Sequence, residues 1–518
     1  MSEKEIIPVD SPKRALQEKC GIVGIFSPQT TALQKYQDGS VAARALWHRG
    51  QGGIGIAINT KEGPKRYIKK GEEIDTVLPK KPVRIIKKNH GSTNWITLHD
   101  RYATSGGRRS NNLQPLVVQT RDGVNFSITH NGEFVAADQM RKEIHVRLPK
   151  DPSDTVLFSR LLKYAPGNTP DEKILNTLDR VNGAYSLLIG TDDALFAARD
   201  NFGIRPMVIG RYHDGWAIVS ETHALDKLEV ETEREIKRGE VIKINKDGIT
   251  TLRKGHDTAG NFCDLEWAYF SRPDSLNPMH DVSGDSQYSE RWLSNLVFRE
   301  KCGRALAREH PIKNADFVMG VSDSGVPAGT GYAMEMKLPY RQAILRDHYD
   351  INGGQKRVFL MDEIIKNMLS FAYGKHSFPR DHRIWENAVV VIVDDSIVRG
   401  TTFRAITEIL FDAGVKEVHL QSAFPQIRHQ CHLGVSMRTD GELISNRNNG
   451  DEKAIAKELG ATSVHYISPE SFIKSRIESG QIHHPKDSSE IFLANGGCGG
   501  CVTGLYPISK DGTIYKRK

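Results

Sequence analysis

The stretch from Val389 to Thr402 reads VVVIVDDSIVRGTT, and its order of residue types decides how the second half of the chain folds. A run of β-branched residues predicts a buried strand, which ends at two adjacent carboxylates, Asp394 and Asp395. The next seven residues carry three hydroxyl groups and Gly400, and a helix is predicted to follow. Because open α/β sheets bind ligands at the carboxyl ends of their strands, the stretch predicts a polar site at that edge.

Strand, polar turn and helix alternate on both sides of this stretch. A strand predicted over Ala315–Val321 ends in the turn Ser322–Gly325, helical periodicity covers Glu290–Glu309, and another strand is predicted over Glu417–Ala423. Such alternation indicates a parallel α/β sheet. From about residue 452 onward the pattern predicts a helical tail that ends in a glycine-rich segment. Taken alone, two acids after a strand are also typical of a helix cap. The whole stretch Val389–Thr402 favours a ligand site instead.

Paired carboxylates can accept hydrogen bonds from a diol or hold Mg²⁺, and N–H groups at a helix N-terminus bind phosphate. The stretch resembles the phosphoribosyltransferase signature for 5-phosphoribosyl 1-pyrophosphate (PRPP). The resemblance implies that Asp394 and Asp395 contact the ribose hydroxyls and Mg²⁺. It also implies a pyrophosphate loop of Asp323, Ser324 and Gly325, in which Ser324 helps to hold the metal. The implied 5′-phosphate loop contains Ser396, Arg399, Gly400, Thr401 and Thr402.

The first half of the chain opens on Cys20, which begins the run CGIVGIF after a polar segment of 19 residues. A thiol with a pKa of about 8.5 needs a base at neutral pH. The α-amino group of an N-terminal residue, with a pKa of about 8, can act as that base. An amide nitrogen cannot, so this chemistry requires removal of residues 1–19. Taken alone, Cys20 is more typical of a buried core cysteine.

Short β-prone runs between turn signals predict packed sheets up to about residue 254, with helices near Thr31–Trp47 and Thr155–Tyr164. Seven motifs follow Cys20 in an order that resembles the class II, N-terminal-nucleophile glutamine amidotransferase domain. They are HRGQGGIGI (His48–Ile56), RYATSG (Arg101–Gly106), HNGEF (His130–Phe134), SDT (Ser153–Thr155), NGAYSLL (Asn182–Leu188), ARDNFGIRP (Ala198–Pro206) and SETHAL (Ser220–Leu225).

The resemblance implies a role for each of four further residues in a glutaminase site. Arg101 binds the carboxylate of glutamine and Asp154 its amino group, while Asn131 and the N–H of Gly132 form the oxyanion hole. These roles fit the chemistry, because a guanidinium matches a carboxylate bidentately and one oxyanion-hole donor is typically worth about 3 kcal/mol. Outside the ordered series, Arg101 is typical of a surface ion pair and Asn131-Gly132 of a hairpin turn.

Five cysteines remain besides Cys20. Cys302 lies in a helical pattern and is predicted to be an inert core residue. The other four are able to bind one Zn²⁺ or one [4Fe–4S] cluster, although the pattern by itself is equally consistent with a redox disulfide or unrelated thiols. His429 and His432 are rival ligands for Zn²⁺. The four candidate ligands are Cys263, Cys431, Cys498 and Cys501.

Together the three signatures resemble the iron–sulfur, leader-processed branch of the glutamine PRPP amidotransferase (amidophosphoribosyltransferase) family. The resemblance implies a structural [4Fe–4S] cluster in preference to Zn²⁺ and conversion of PRPP, glutamine and water to 5-phosphoribosylamine, pyrophosphate and glutamate, the entry step of purine synthesis. It implies a passage that carries ammonia between the two sites, because ammonia is protonated in bulk water at neutral pH. Purine nucleotides as feedback inhibitors, a homo-oligomer and a cytoplasmic location are implied as well.

The implied fold is a four-layer αββα N-terminal-nucleophile domain, an α+β structure, joined to an α/β type I phosphoribosyltransferase domain with a parallel sheet. We expect a leader over residues 1–19, an amidotransferase domain over 20–254, a phosphoribosyltransferase domain over 255–450 and a tail over 451–518 that completes the metal cluster site.

Several residues depart from the family pattern, mainly in the acceptor half. The flexible loop reads Arg346, Asp347, His348, Tyr349 and then Asp350, with acids where basic residues are usual, and residues 361–385 fit the family poorly. Ser322, Asn201 and Arg238 each replace an expected proline. Two alternatives therefore stay open: a divergent amidotransferase that acts on another phosphosugar, and a non-catalytic relative that binds PRPP or nucleotides and regulates a partner.

Composition narrows the classes of protein further. The chain has 518 residues, of which 38% are hydrophobic and 26% charged, so a folded protein of several domains is expected. No apolar run approaches the roughly 18 residues that cross a bilayer, and no secretion signal precedes Cys20. The net charge of +7 is spread along the chain, which suits small anionic substrates and argues against nucleic acid.

Overall fold

The structure is a computed structural model that describes residues 20–70, 93–101, 113–144, 148–149, 151–279, 292–346, 376–379, 381–435, 437, 439–477 and 482–515. The predicted leader, most of the motif RYATSG, and the acceptor loop from residue 347 to 375 lie outside these residues. By compactness the chain forms two units, and both are discontinuous. One contains the described residues up to Leu296 together with Gln430–Ser436 and the segment from Arg476 onward, and the other contains Val297–His429 and Met437–Ser475.

An antiparallel sheet forms around the strand that follows Cys20. Within the described residues it has seven strands, and Gly21–Phe26 lies between Trp95–Asp100 and Gly215–Val219. Every residue of Gly21–Phe26 is buried, which is why this strand carries small and aliphatic side chains on both faces. The strands follow the order Thr232–Glu235, Val208–Tyr212, Gly215–Val219, Gly21–Phe26, Trp95–Asp100, Gly53–Ile58, Lys65–Lys70.

A second antiparallel sheet of six described strands belongs to the same unit. The dipeptides Asp122-Gly123 and Asp247-Gly248 mark two of its hairpins, as the sequence predicts. The strands follow the order Gly248–Arg253, Val241–Asn245, Leu195–Arg199, Gly183–Gly190, Asn125–Phe134, Leu116–Gln119.

Three hydrophobic cores show how the layers of this unit stack. One packs the helix Ala32–Leu46 on the first sheet, a second fills the space between the two sheets, and a third packs the helices Asp154–Lys163 and Pro170–Leu178 on the second sheet. The order of layers is therefore helix, sheet, sheet, helix, and the predicted αββα class is confirmed. The unit also contains the helices Ala137–Glu143, Thr222–Asp226, Ile491–Ala494 and Gly500–Thr503 and the π-helical turn Glu266–Phe270.

A parallel sheet forms the second unit, as predicted. Its described strands follow the order Phe317–Gly320, Val389–Asp394, Glu417–Ser422, Ser463–Tyr466, and every neighbouring pair is parallel. The central strand is buried up to Val393 and emerges at Asp394. The helices of this part of the chain are Asn295–Glu309, Val326–Met336, Thr401–Asp412, Ile444–Arg447, Glu452–Leu459 and Pro469–Arg476.

The segment after residue 451 differs from the helical tail that the sequence predicts. Ser463–Tyr466 is a strand that pairs with Glu417–Ser422 and so forms one edge of the parallel sheet. Val464 and Tyr466 alternate with less buried residues and pack into the core of that unit, so tertiary packing overrides the helical propensity around them. The remaining described strands are short pairs: Phe262–Cys263 with Gly497–Cys498, Leu276–Pro278 with Trp292–Ser294, and Leu345–Arg346 with His376–Ser377.

Candidate functional site

Cys20 immediately precedes Gly21–Phe26, the central strand of the first sheet. It is partly exposed, and its carbonyl oxygen accepts a hydrogen bond of 3.4 Å from Nε of Arg49. Arg49 is fully buried between two carboxylates, Glu221 and Glu266. Burial alone would lower the pKa of Arg49, but these two acids raise it above its ordinary value. The cluster of Arg49, Glu221 and Glu266 thus holds the backbone of Cys20 in place through the hydrogen bond from Arg49.

Arg101 brings the predicted glutamine-binding residues together. It follows the strand Trp95–Asp100 and is only 5% exposed. Burial lowers the pKa of its guanidinium, and the charges of Cys20 and Asp154 act in the opposite direction. Arg101 is therefore within electrostatic range of both groups, which the sequence separates by 134 positions (154 minus 20).

Asp154 is held by the helix that it begins. Ser153 caps that helix by accepting from the N–H of Val156. One carboxylate oxygen of Asp154 accepts from the N–H of Phe134 at 3.0 Å, and the residue is 7% exposed. A carboxylate anchored in this way can present its remaining lone pairs to an ammonium group.

Asn131 and Gly132 lie in the strand Asn125–Phe134. Asn131 is 1% exposed, and among the described residues its Nδ2 has no hydrogen-bond partner. A buried amide donor without a partner costs free energy unless a ligand satisfies it. Gly132 has φ = +145°, and a Cβ there would overlap the carbonyl oxygen of Ala184. Only glycine fits this position, so Gly132 is not the hairpin turn that the dipeptide alone would suggest.

A buried polar network behind this strand was missed by the sequence reasoning. His130 is hydrogen-bonded through Nδ1 to Oγ1 of Thr155, and Gln114 bridges the N–H of His130 and the same hydroxyl. His99 contacts the carbonyl oxygen of His130 through Nε2 at 3.1 Å. Burial lowers the pKa of His130 and, aided by the charge of Arg101, that of His99 to about 3, so both rings are neutral. The position of His99, two residues before Arg101, was the available signal.

Asp394 and Asp395 lie together at the carboxyl end of the central parallel strand. The N–H of Asp395 donates to Oδ1 of Asp394 at 2.8 Å, and Asp395 accepts from the hydroxyls of Ser324 and Ser396. Burial raises the pKa of both acids, and the charge of Asp395 raises that of Asp394 further. The structure thus brings the predicted metal-binding residues Ser324, Asp394 and Asp395 into one cluster.

The turn after the first parallel strand packs directly on these acids. Gly325 lies so close that a Cβ would stand 2.6 Å from the carbonyl oxygen of Val393 and 2.9 Å from Oδ1 of Asp394. The N–H of Val321 donates to the same carbonyl at 2.9 Å. Asp323 is exposed, and the peptide bond between Ser322 and Asp323 is cis. The predicted pyrophosphate loop therefore borders the predicted ribose site.

The loop after the two acids leads into the helix Thr401–Asp412. Gly400 precedes that helix with φ = +80°, so Thr401 and Thr402 occupy its first turn, where N–H groups are available to an anion. Arg399 is differently placed. Its Nε and Nη2 donate to Oε2 of Glu442 at 2.9 and 2.7 Å. In this structure the arginine side chain therefore pairs with an acid.

Arg299 is a further residue of this site that the sequence reasoning missed. It lies in the helix Asn295–Glu309, is 2% exposed, and its charge lowers the pKa of Asp395, opposing the larger effect of burial. A buried guanidinium near Asp395 compensates part of the charge of that acid. No local pattern distinguishes it from the other basic residues of its helix, because its partner is almost a hundred positions away.

The four predicted cluster ligands meet within one unit. Cys263 and Cys498 are paired residues of two parallel strands, Cys501 follows in the next helix, and burial together with the neighbouring thiol charges raises the pKa of Cys431, Cys498 and Cys501. No disulfide joins any of the described cysteines. Cys263, Cys498 and Cys501 are buried and Cys431 is partly exposed, and four thiolates are the donor set that an iron–sulfur cluster uses.

The cysteine side chains are not yet arranged as metal ligands. Within the described part of the chain, no three His, Cys, Asp or Glu side chains stand in an arrangement that would already hold a metal ion. His432 is engaged through Nε2 with the carbonyl oxygen of Ile508 at 2.8 Å, and His429 belongs to the other compact unit. Cys302 is buried, and burial raises the pKa of its thiol to about 12, as expected of an inert core residue.

Two of the three replaced prolines are neighbours in space. Nη1 of Arg238 donates to the carbonyl oxygen of Asn201 at 2.8 Å, and its Nε donates to that of Thr258 at 3.0 Å. The arginine side chain thus joins three segments at a place where the family pattern has two rigid residues. The third replacement, Ser322, donates through its hydroxyl to the carbonyl oxygen of Ile344 at 2.5 Å.

The folds and sites of the two units define a class of protein: a glutamine amidotransferase of the N-terminal-nucleophile type combined with a phosphoribosyltransferase. A family model for a glutamine amidotransferase domain matches residues 99–227, and one for a phosphoribosyl transferase domain matches residues 295–430. An amidophosphoribosyltransferase from Methanocaldococcus jannaschii is 34% identical over 517 residues, which cover 94% of this chain and 97% of the relative. The chain belongs to the amidophosphoribosyltransferase family.

Two solved structures are similar over nearly their whole length. One, described as the allosteric regulatory enzyme of purine biosynthesis, has 30% sequence identity and a TM-score of 0.77, covering 96% of this chain and 97% of its own. The other is the glutamine PRPP amidotransferase of Bacillus subtilis in complex with ADP and GMP, with 30% identity and a TM-score of 0.76, covering 96% and 99%. No helix in the described part of the chain is both long and apolar enough to span a membrane.

Proposed function

We propose that the chain transfers ammonia from glutamine to PRPP, yielding 5-phosphoribosylamine, pyrophosphate and glutamate, the first step of de novo purine synthesis. The observation that carries this proposal is the buried guanidinium of Arg101, which interacts with both the Cys20 thiol and the Asp154 carboxylate. That arrangement supplies a nucleophile, a carboxylate-binding cation and an ammonium-binding anion in one place. An amino acid with a free α-amino and α-carboxyl group is the substrate that such a set fits.

In the glutaminase half, Cys20 attacks the side-chain amide once residues 1–19 have been removed. Its own α-amino group accepts the thiol proton, and the Asn131 amide and the Gly132 N–H stabilise the oxyanion that forms. The α-ammonium then returns a proton to the departing ammonia, and water hydrolyses the remaining thioester to glutamate. The buried Asn131 donor supports this assignment, because a preorganised donor stabilises a transition state without reorganisation.

In the acceptor half, Asp394 and Asp395 hold the ribose hydroxyls, and the loop Ser396–Thr402 holds the 5′-phosphate. Asp323, Ser324 and Gly325 border the pyrophosphate, which leaves when ammonia attacks the anomeric carbon. The acid cluster and the Ser324 hydroxyl that donates to it offer the oxygen ligands that Mg²⁺ prefers. Mg²⁺, when bound with PRPP, neutralises charge on the leaving pyrophosphate.

The four thiols are proposed to hold a structural [4Fe–4S] cluster, with Cys263, Cys431, Cys498 and Cys501 as ligands. Purine nucleotides are proposed as effectors, which the ADP and GMP complex of the solved relative supports. A homo-oligomer and the domain limits at 19/20, 254/255 and 450/451 remain proposals of the same kind.

The test separates the two halves. Cys20→Ser is expected to abolish pyrophosphate release driven by glutamine while retaining release driven by ammonium chloride at high pH, because ammonia then no longer needs the thiol. The measurement is pyrophosphate and glutamate formation with each nitrogen donor. Cys302→Ser, which removes a buried thiol outside both sites, serves as the matched control and should retain both activities.

Loss of the ammonia-driven reaction in Cys20→Ser, with Cys302→Ser active, would contradict the assignment of separate sites. Pyrophosphate release by neither donor in the unaltered chain would instead contradict PRPP as the acceptor.

A further inference from the structure

Asp100 is a buried carboxyl group that nothing in the mechanism above uses. It ends the strand Trp95–Asp100 and is 1% exposed, yet neither of its carboxyl oxygens has a hydrogen-bond partner among the described residues. Asp200, equally buried, shows the usual solution, because the N–H groups of Phe202, Ile204 and Tyr185 donate to it. A buried acid with no donor is costly to a fold unless something else occupies its oxygens.

The carboxyl group of Asp100 lies beside the residue that follows Cys20. In the first sheet Asp100 is the direct cross-strand partner of Gly21. A Cβ at Gly21 would stand 3.1 Å from Oδ2 of Asp100 and 2.9 Å from Cβ of Leu46. Because residue 21 is a glycine, the carboxyl group of Asp100 lies against the α-carbon of Gly21, the residue next to Cys20, and no side chain separates them.

The cations around Asp100 are committed elsewhere. Arg101 is its neighbour on the strand, but side chains alternate between faces, and Arg101 interacts with Cys20 and Asp154. Arg49 pairs with Glu221 and Glu266. His48 pairs with Glu221, and the buried rings of His99 and His130 are neutral. On the helix Ala32–Leu46, which packs on this sheet, Lys35 donates to the carbonyl oxygens of Ser27 and Thr30, and the exposed Arg44 interacts with Tyr36.

Burial raises the pKa of Asp100, and no charge among the described residues opposes that effect. The acid thus lacks a cation in the chain as it is described. One additional cation arises beside Gly21 when the bond between residues 19 and 20 is hydrolysed. Water adds across that peptide bond, residue 19 leaves with a carboxylate, and Cys20 gains an α-ammonium group.

We infer that Asp100 is the counter-ion and positioning residue for the α-ammonium group of mature Cys20, an inference that rests on the proposed function. In the resting enzyme it orients the α-amine. During attack the amine takes the thiol proton, and the Asp100 carboxylate stabilises the ammonium so formed, as the aspartate of a serine protease triad stabilises its imidazolium. Asp100 itself gains and loses no proton in this step.

The first test is the pH profile of glutamine hydrolysis in Asp100→Asn, which keeps the shape of the side chain and removes its charge. A nearby carboxylate favours the charged amine, so its loss should move the acid limb of kcat/KM down by about one pH unit. The maximum of kcat/KM should fall by about tenfold or more. The ammonia-driven reaction reports on folding, and Asp100→Ser replaces Asp100→Asn if the latter does not fold.

The second test uses thermal stability and needs no activity. The leader is replaced by the recognition sequence of a specific protease that leaves Cys20 as the first residue, and Tm is measured before and after cleavage. We expect cleavage to raise Tm by about 2 °C or more in the unaltered chain and by less in Asp100→Asn.

An unchanged acid limb together with an equal rise in Tm in both proteins would overturn the inference. If the unaltered chain hydrolyses no glutamine, the proposed function has failed, and the difference in Tm between the two proteins still decides the role of Asp100.

Discussion

Buried acids in this chain are of two kinds, and the difference separates structural residues from candidate functional ones. Asp200 accepts hydrogen bonds from the backbone N–H groups of Tyr185, Phe202 and Ile204, which satisfy much of its charge. Asp394 and Asp395 instead face each other at a strand end, where burial raises the pKa of both. Carboxyl groups with a raised pKa are typical of functional sites. A bound substrate or ion there compensates the negative charge that the protein itself leaves uncompensated.

Asp394→Asn is therefore expected to stabilise the substrate-free protein while abolishing pyrophosphate release. Since the pKa of Asp394 is higher in the folded than in the unfolded state, the folded state binds the proton more tightly. The contribution of this acid to stability thus falls as pH rises above the ordinary aspartate range near 4. The Tm of the variant should exceed that of the unaltered chain, by a margin that grows as the pH rises above about 4.

Basal glutamine hydrolysis provides the control for this variant, because Cys20 and Arg101 are untouched. The measurement is Tm by calorimetry across the pH series, with and without MgCl₂ and PRPP. A variant with a lower Tm at every pH, or one that PRPP stabilises as well as it does the unaltered chain, would argue against the electrostatic conflict between Asp394 and Asp395.

For single residues, sequence motifs identify many members of the candidate sites but not the residues that contact them. Cys20, Arg101 and Asp154 stand in recognisable motifs, and the structure brings them together. Arg299 carries no such signal, because its role depends on its interaction with Asp395. His99 stands two residues before Arg101, but its contact with the carbonyl oxygen of His130 is visible only in the structure. Asp100 was missed as well, since the lack of a hydrogen-bond partner for its carboxyl group among the described residues is visible only in the structure.

The bounds of strands and helices that have a clear hydrophobic pattern were predicted almost correctly. The buried strand that the sequence predicts before the two acids spans Val389–Asp394, and the helix predicted after them spans Thr401–Asp412. The strand Ser463–Tyr466 was not predicted, because four residues between two helices give too short an alternation to recognise. Pairing with Glu417–Ser422, a contact distant in sequence, is what makes it a strand.

Gly400 links the loop after the two acids to its helix, and Gly400→Ala should test that link. Its φ of +80° costs an alanine about 1–2 kcal/mol. A Cβ would also stand 2.6 Å from Ile444 and 2.7 Å from Leu459, and overpacking typically adds about 1–3 kcal/mol. We expect lower stability to urea and a higher KM for PRPP, with KM for glutamine unchanged.

Gly414→Ala is the matched control for Gly400→Ala. Gly414 has φ = +95°, but the nearest atom to its Cβ position is 3.8 Å away. It should therefore show the backbone cost alone, with KM for PRPP unaffected. Equal urea midpoints and equal KM values in the two variants would mean that the loop is not shaped by contact with Ile444 and Leu459.

Over the whole molecule, the fold class was predicted correctly from the sequence, whereas the discontinuity of the units was not. The resemblance implied an αββα domain and a parallel α/β domain, and both are present. Nothing local in Gln430–Ser436 indicates that these residues belong to the unit that begins at the N-terminus. Leu433 shows how they attach, since its carbonyl oxygen accepts from the buried guanidinium of Arg205.

This arrangement predicts that the cysteine cluster stabilises the N-terminal unit as a whole. Cys498→Ser, prepared without oxygen, should lose iron and acid-labile sulfide and show a lower Tm, because Cys263, Cys431 and the C-terminal segment lose a common anchor. Cys302→Ser is the control and should retain the iron content of the unaltered chain. Undiminished iron in Cys498→Ser, or zinc in place of iron in the unaltered chain, would rule out the proposed ligand set.

The order of the segments also matters while the protein is being made. The ribosome begins the unit that carries Cys20, interrupts it to synthesise most of the other, and returns to it for the final segment from Arg476 onward. The segment from Arg476 onward thus completes a unit whose first described segment was made before the other unit. A nascent chain stalled or cut short before that segment lacks Cys498 and Cys501, so this unit cannot close until that segment has been synthesised.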